Sequence, residues 1–362
     1  MRKFALLSAA IIVTTLVAGC ARGDKHHTDH DPANVDPVVS DDMKDDNQPE
    51  LTLNGPDMMM SEDAVSQHTA GTRHHYAHPC VSMDGRWLAY SADHDRGGSD
   101  IYIQDLQGSS ARQLTWTANN AHPAISPDNT RVAFTSNRDG KYRIYTIAIN
   151  GNGGLEEVSD AMSESVSPSW SPDGYSIVYA TRKTKKSQWQ IAVKDRMNGE
   201  TRYLTAGMYP QWSPDGDYIV FQKLSRQEPG YPAIYTVRAD GSQLTQVYQS
   251  DSHGAITPSW AAGGEWILFA TVNKSEKSRD RQNTEIFNAD DVWMVRRDGT
   301  QARVLTNHRL ADWDPCYDPQ GNRVFYVSLR DGVQNIYSMR TELGDGGQPR
   351  GRSQLFPEAG GR

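Results

Sequence analysis

The side chains best suited to chemistry in this sequence are histidines and cysteines that stand beside repeated prolines. His78 and His122 each precede a proline, whereas Cys80 and Cys316 each follow one. Imidazoles that converge can bind a metal ion or move protons, and two thiols can form a disulfide. Two imidazoles are too few to predict a metal site, so no metal ligand is assigned.

No local catalytic signature accompanies these residues. The sequence contains no GxSxG elbow, no HExxH pair and no GxxxxGK[ST] phosphate loop. The formal net charge of -8 also argues against binding to nucleic acid. The sequence therefore favours a binding protein over an enzyme, with no catalytic residue and no cofactor.

A six-fold pattern organises the chain that must position these side chains. Each copy has a proline, a bulky apolar residue two positions later, a turn such as Pro214-Asp215-Gly216, and short apolar strands. The prolines, at intervals of 44, 45, 42, 48 and 57 residues, are Pro79, Pro123, Pro168, Pro210, Pro258 and Pro315. Four short strands in ~40–45 residues are typical of a propeller blade. The sequence predicts an all-β, six-bladed β-propeller of four-stranded antiparallel blades.

Four segments are predicted along the chain. Residues 1–19 form a signal peptide, 20–73 a disordered acidic and His-rich tether, 74–357 the propeller and 358–362 a disordered tail. The sixth blade needs a fourth strand to close the ring. Residues 352–356, RSQLF, resemble the strand RQLT of the first blade and are the simpler candidate, and a segment of the tether is the other.

The N-terminus has the features of a lipoprotein export signal. Two basic residues precede an apolar run over residues 4–17, and LVAGC at 16–20 matches the bacterial lipobox. This predicts cleavage before Cys20 and attachment of lipid to its thiol, with a polar tether that cannot bury enough apolar surface to fold. By resemblance to the enterobacterial sorting rule, Ala21 favours the outer membrane. We expect a protein of the bacterial cell envelope, lipid-anchored and facing the periplasm.

The fullest copy of the repeat, HPxxSPDNxxVAFxSxRDGxxxIY at residues 122–145, resembles the repeats of the TolB family of periplasmic β-propellers. The resemblance covers residues 77–339, and the tether stands where TolB proteins carry an α/β domain. It implies a monomeric scaffold that docks an envelope protein, the peptidoglycan-associated lipoprotein. Similar repeats occur in prolyl-peptidase relatives and oligogalacturonate lyases, so the motif indicates a blade rather than a chemistry. The alternative function is a metal-assisted lyase or a binding protein for acidic polysaccharide.

Two sets of residues are expected on one face of this propeller. In propellers of this kind, the residues just before the prolines ring one mouth of the channel, where they bind a partner or satisfy the loop backbone. These channel-mouth residues are His78, His122, Ser167, Tyr209, Thr257 and Asp314. Basic residues of nearby loops would form a rim suited to an acidic protein or anionic glycan, unless they are dispersed solubilising charge. The rim residues are Arg138, Arg182, Lys223, Arg279 and Arg330.

The two propeller cysteines stand at equivalent positions in the first and sixth blades. Closure of the ring makes these blades neighbours, and an exported protein meets oxidising conditions. However, equivalent positions on adjacent blades point the same way around the ring, whereas a disulfide needs converging Cβ vectors. The pairing of Cys80 with Cys316 therefore stays open at the level of sequence.

Overall fold

The computed structural model describes residues 65–71, 74–94, 97–108, 110–151, 154–225, 230–279, 285–318, 320 and 322–341. The signal segment, Cys20 and nearly all of the tether lie outside these residues. Within the described ranges the chain forms 24 β-strands and one short 3-10 turn, Ala262–Gly264. No helix in these ranges is long and apolar enough to cross a membrane.

The strands form six antiparallel sheets of four strands each, as predicted. In chain order the strands are β1 (Val65–Gln67), β2 (Tyr76–Val81), β3 (Trp87–Asp93), β4 (Ser99–Asp105), β5 (Ala111–Gln113), β6 (Asn120–Ile125), β7 (Arg131–Ser136), β8 (Arg143–Ala148), β9 (Glu156–Glu157), β10 (Glu164–Trp170), β11 (Ser176–Arg182), β12 (Gln190–Asp195), β13 (Thr201–Ala206), β14 (Met208–Trp212), β15 (Tyr218–Leu224), β16 (Pro232–Arg238), β17 (Thr245–Tyr248), β18 (Gly254–Ala261), β19 (Trp266–Arg279), β20 (Glu285–Arg296), β21 (Arg303–Val304), β22 (Asp312–Asp318), β23 (Arg323–Ser328) and β24 (Asn335–Arg340). Blades one to five are β2–β5, β6–β9, β10–β13, β14–β17 and β18–β21, and blade six has the order β22-β23-β24-β1.

A hydrogen-bonded turn joins the first two strands of a blade. In blade four, the Ser213 hydroxyl donates to the Asp215 carboxylate (Oγ to Oδ1, 2.5 Å) and accepts from the backbone N–H of Tyr218 at 2.9 Å. Gly216 takes φ 81°, a conformation that glycine adopts without steric cost. The Ser-Pro-Asp-Gly sequence therefore fixes a tight hairpin, which ends the inner strand and starts the second strand at a defined place.

The hydrophobic core lies between neighbouring blades. One cluster joins Val178 and Ile191 of blade three to Ile219 and Phe221 of blade four, and all four side chains are buried. Each blade has two apolar faces and can cover them only against its neighbours. The stability of any one blade consequently depends on a closed ring.

The first strand in the chain closes the last blade. Val65–Gln67 pairs with β24 in antiparallel register, with Val65 opposite Met339. The propeller therefore begins before residue 74, and an N-terminal strand fills the position expected of residues 352–356, which lie outside the described residues. The preference for a C-terminal closing strand was wrong because the SQHT sequence at 66–69 is itself a copy of RQLT at 112–115, with histidine in place of leucine.

The contacts of this segment match those of a regular fourth strand. The Thr69 hydroxyl accepts from the backbone N–H of Ile336 at 2.9 Å, just as Thr115 accepts from Ile101 at 2.9 Å in blade one. His68 occupies the place of the buried Leu114; its ring lies 4.6 Å from the Phe325 ring (centroids), and Nε2 lies 2.8 Å from the Ser338 hydroxyl. The closing strand therefore carries a titratable side chain at a position that is apolar in blade one.

Replacing His68 with leucine should remove an acid-sensitive part of the stability. Burial, together with the Arg323 guanidinium, lowers the pKa of His68 from 6.5 to about 4. Between these values the unfolded chain binds more protons than the folded one, so the free energy of unfolding falls as pH falls. Measured by urea denaturation, the free energy of unfolding should fall less for His68→Leu than for wild type between about pH 7 and about pH 4.5.

The matched control is Leu114→His in blade one, whose free energy of unfolding should fall more steeply than that of wild type as pH falls. Equal pH profiles for wild type and His68→Leu would contradict the assignment.

Candidate functional site at the channel mouth

The six predicted channel-mouth residues share one unusual backbone conformation. All are left-handed, namely His78 (φ 54°), His122 (φ 51°), Ser167 (φ 56°), Tyr209 (φ 51°), Thr257 (φ 48°) and Asp314 (φ 51°). A non-glycine residue pays roughly 1–2 kcal/mol for this conformation. Six repeats of it at one level of the channel make this ring the most strained feature common to all blades.

A bulge in each inner strand produces this conformation. In blade two the β6–β7 ladder pairs Ala121 with Thr135 and resumes with Ala124 opposite Ala133, so His122 and Pro123 are skipped. The other five inner strands shift register at the same dipeptide. Proline has no N–H to offer the ladder, so skipping it loses no donor. The proline therefore positions the residue before it.

Four of the ring residues form a line of contacts across the channel. His78 Nε2 lies 3.8 Å from Asp314 Oδ2, and the rings of His78 and His122 have centroids 4.0 Å apart. The His122 ring in turn lies 5.5 Å from that of Tyr209, which belongs to blade four. Ser167 and Thr257 complete the ring. The line Asp314, His78, His122, Tyr209 thus joins blades six, one, two and four.

Burial controls the charge of this line. Burial and the neighbouring His78 hold the pKa of His122 well below its usual value, and burial also lowers the pKa of His78 although Asp314 opposes this shift. Burial raises the pKa of Asp314 and, with Asp314 nearby, holds the pKa of Tyr209 well above its usual value. At neutral pH both imidazoles are therefore uncharged and can each accept and donate one hydrogen bond.

Several polar atoms of the ring lack hydrogen-bond partners among the described residues. They are both ring nitrogens of His122 and the hydroxyl oxygen of Ser167, all buried, whereas the Thr257 hydroxyl interacts with the Asp314 carboxyl group. An unsatisfied buried polar group costs about 1–3 kcal/mol, and each such group in a native protein calls for an explanation. The ring therefore offers donors and acceptors that the rest of the fold does not use.

The predicted basic rim is largely engaged with its own blades. Each of four cations lies over an aromatic ring of its blade: Arg138 over Tyr145 (5.0 Å to the centroid), Arg182 over Trp189 (4.5 Å), Lys223 over Tyr235 (5.7 Å) and Arg330 over Tyr337 (4.7 Å). Arg182 also pairs with Glu164 at 2.6 Å. Arg279 ends β19, opposite Glu285. The four cations that lie over aromatic rings thus have a structural role, and the binding role of all five rim residues stays a prediction.

Metal ligands are not grouped in the described part of the chain. No set of three or more His, Cys, Asp or Glu side chains there is arranged to hold a metal ion.

Sequence reasoning missed a carboxylate pair at the junction of blades five and six. The Asp312 side chain is fully buried, lies 3.9 Å from Arg330 and has the hydroxyl groups of Ser328 and Thr306 beside it. Burial raises its pKa, and burial with Asp290 and Asp312 nearby raises the pKa of Asp291 to about 6. The signal was present three residues before the proline, where blade two has Asn120 and blade six has Asp312.

Asp312→Asn should stabilise the protein above about pH 6. The folded pKa values of this pair lie above the ordinary range, so their stabilising contribution is present at low pH and is lost as pH rises through about 6. Asparagine at this place is native to blade two, where Arg138 reaches the Asn120 amide oxygen at 3.5 Å. Urea denaturation at about pH 4.5 and about pH 7.5 should show that the free energy of unfolding differs less between these two pH values in the variant than in the wild type.

Asn120→Asp is the reverse exchange. Its free energy of unfolding should fall more than that of wild type as pH rises to neutral. An unchanged pH dependence in Asp312→Asn would refute the carboxylate pair.

Thr257→Asn should also stabilise the protein, by about 0.5–1 kcal/mol, because asparagine tolerates positive φ better than a β-branched residue. The backbone N–H of Thr257, which donates to Gln222 Oε1 at 2.6 Å, is kept. Thr257→Val is the control, since it removes the hydroxyl but keeps the β-branch. The midpoint of thermal unfolding should be higher for Thr257→Asn than for wild type and for Thr257→Val. An equal rise in Thr257→Val would rule out backbone strain as the cause.

Known proteins resemble this chain in sequence over part of their length. The Tol-Pal system protein TolB of Francisella tularensis subsp. tularensis is 29% identical over 190 residues, which is 51% of this chain and 43% of that protein. The protein TolB homolog of Chlorobium luteolum is 31% identical over 217 residues, or 60% of this chain and 35% of that protein. The chain thus spans less than half the length of these curated relatives.

Solved structures share the fold at low sequence identity. TolB from Acinetobacter baumannii has a TM-score of 0.55 at 19% identity, covering 69% of this chain and 59% of that one. A putative TolB from Agrobacterium tumefaciens has a TM-score of 0.55 at 21% identity, covering 76% and 96%. Oligogalacturonate lyase from Vibrio parahaemolyticus reaches 0.52 at 15% identity, covering 76% and 93%.

The family itself follows from the repeats. Residues 37–260, more than half of the chain, match the family profile described as TolB beta propeller domain, PD40. The predicted resemblance is confirmed, and the chain belongs to the TolB β-propeller family.

Proposed function

We propose that this protein is a non-catalytic scaffold of the bacterial cell envelope that docks a partner protein on its channel-mouth face. The ring of six left-handed residues carries the proposal. It holds buried polar atoms without partners among the described residues on His122 and Ser167. Strained backbone and unused polar groups reduce stability, so their concentration at one face supports a binding role there.

Exposed apolar side chains beside the ring support the same face. Trp116 is 69% exposed in the connection from β5 to β6, and Met162 is 74% exposed in the connection from β9 to β10. Both connections lead from an outer strand into the next inner strand, so they open on the channel mouth. Tryptophan is enriched among the residues that dominate protein interfaces, and methionine adapts to the shape of a partner.

The relatives indicate the kind of partner. They are named for the Tol-Pal system, which supports an envelope protein and, within that class, a peptidoglycan-associated lipoprotein. A lipid on Cys20, joined to the propeller by the polar segment that follows it, would keep the propeller near the outer membrane on its periplasmic side. Such tethering raises the effective concentration of the ring toward a partner at the same membrane without adding any contact.

The alternative is a metal-assisted lyase or a binding protein for acidic polysaccharide. Its support is the contact between His78 and His122 and the likeness in fold to oligogalacturonate lyase. We place it second because fold likeness at this identity says nothing of chemistry. The scaffold also accounts for the exposed Trp116 and Met162, which a reaction inside the channel would not need.

Capture from an envelope extract of the source bacterium tests the proposal. The bait is the chain from Ala21 onward, which keeps the closing strand and omits the lipidated cysteine. We expect an envelope protein to be retained, and Trp116→Ala to reduce its affinity about 10-fold or more, since removing an interface hot spot costs about 2 kcal/mol or more.

Two methionines of equal exposure make a matched control. Met162 lies on the channel-mouth face, whereas Met197, 75% exposed, follows β12 at the opposite face. Met162→Ala should weaken retention and Met197→Ala should not. Equal effects would refute this docking face. Retention of no protein would refute the scaffold, and the same bait would then be tested with oligogalacturonate and a divalent metal.

A further inference from the structure

Six residues follow the inner-strand prolines, and several of them bind the backbone of the next blade through their side chains. These six residues are Cys80, Ala124, Ser169, Gln211, Ser259 and Cys316. The Ser169 hydroxyl accepts the backbone N–H of Trp212 at 3.1 Å, and the Gln211 side chain accepts that of Trp260. Each acceptor thus binds the amide two residues after the neighbouring proline. This repeated contact joins the inner strands of successive blades.

At the junction of blades six and one this contact brings two sulfur atoms together. Cys316 Sγ accepts the backbone N–H of Val81 at 3.2 Å, and Val81 directly follows Cys80. The Cys316 side chain therefore lies against the backbone that carries Cys80, and both residues are free thiols. Because Cys316 leans across the junction toward blade one, each thiol shifts the pKa of the other. This is the arrangement that equivalent positions alone did not lead us to expect.

We propose that Cys80 and Cys316 are an oxidation site, which forms an intramolecular disulfide between the inner strands β2 and β22. The oxidant is a disulfide, either a small molecule such as oxidised glutathione or a thiol oxidase of the envelope. The proposal does not depend on which partner docks at the channel mouth.

The reaction proceeds by two exchanges. The Cys80 thiolate attacks one sulfur of the oxidant, breaks its S–S bond and releases one thiolate, which leaves a mixed disulfide on Cys80. The Cys316 thiolate then attacks the Cys80 sulfur, forms the protein disulfide and releases the second thiolate of the oxidant. Two electrons pass to the oxidant, and the two protons of the cysteines end on its thiols.

The environment favours Cys80 as the first nucleophile. The hydrogen bond from Cys316 lowers the pKa of Cys80, helped by the backbone N–H of Ile125, whereas the pKa of Cys316 is held well above its usual value by its bond to Cys80 and by burial. Cys80 is also half-buried, while Cys316 is 8% exposed. The more accessible thiol is therefore also the more acidic one.

The bond would close the ring covalently. Blade six is otherwise completed by the short pairing of β1 with β24, and a Cys80–Cys316 bond would hold blades one and six together even when that pairing opens. It would also fix the distance between His78 and Asp314, which stand two residues before the cysteines. Oxidation should therefore stabilise both the fold and the line of contacts across the channel.

Thiol counting on the full chain carrying Cys20→Ala tests this, because only the two propeller cysteines remain. One sample is treated folded with oxidised glutathione, and a second is refolded from urea in a glutathione redox buffer. Both are then denatured and alkylated with a maleimide, and their masses are read. In at least the refolded sample, we expect no alkylation and a mass that is lower by two hydrogen atoms. The midpoint of thermal unfolding should rise in that sample, and adding a reductant should reverse the rise.

Cys316→Ser is the matched control, because serine occupies this position in blades three and five and can still accept the Val81 N–H. Its single thiol should be alkylated or capped by glutathione. Two free thiols in both samples of the parent would overturn the proposal. So would a stable glutathione adduct on Cys80 beside a free Cys316, since the second exchange would then be blocked by geometry.

Discussion

The bulge at the residue–proline dipeptide of each inner strand is the constraint on which the rest of the structure depends. By removing two residues from the ladder, it turns the residue before the proline into the channel and aims the residue after it at the next blade. One residue further on, the large side chain packs between blades, as Trp260 does at 4% exposure. A single local irregularity, repeated six times, therefore sets the channel lining, the contacts between blades and part of the core.

Features that depend on local chemistry were predictable from the sequence. The serine, proline, aspartate and glycine of the turns specify hairpins regardless of context, and their period gave the number of blades. The same period identified the ring residues, because their place is fixed relative to a proline. What the period could not give is the width of the channel. The approach of His122 to Tyr209, two blades away, depends on how six sheets pack around an axis, and no local pattern encodes it.

The failures have equally particular causes. The closing strand was ranked second because His68 replaces the leucine that makes RQLT recognisable, and because its neighbours are polar. Spacing suggested a basic rim, but spacing does not reveal that Arg182 packs on Trp189 and pairs with Glu164. Asp312 was not singled out, since a lone carboxylate is seldom fully buried. In each case a tertiary contact decided the role of a side chain whose type suggested another.

The position of the closing strand also orders events during synthesis. Val65 is made before any blade exists, yet its partner Met339 belongs to the last blade. At ~5–20 residues per second the two are separated by tens of seconds, during which blade six has no fourth strand and β1 has no sheet. An unpaired edge accepts a strand from any chain that offers one. Nascent copies at high concentration would thus exchange their first strands. The yield of monomer would therefore decrease as the rate of synthesis increases.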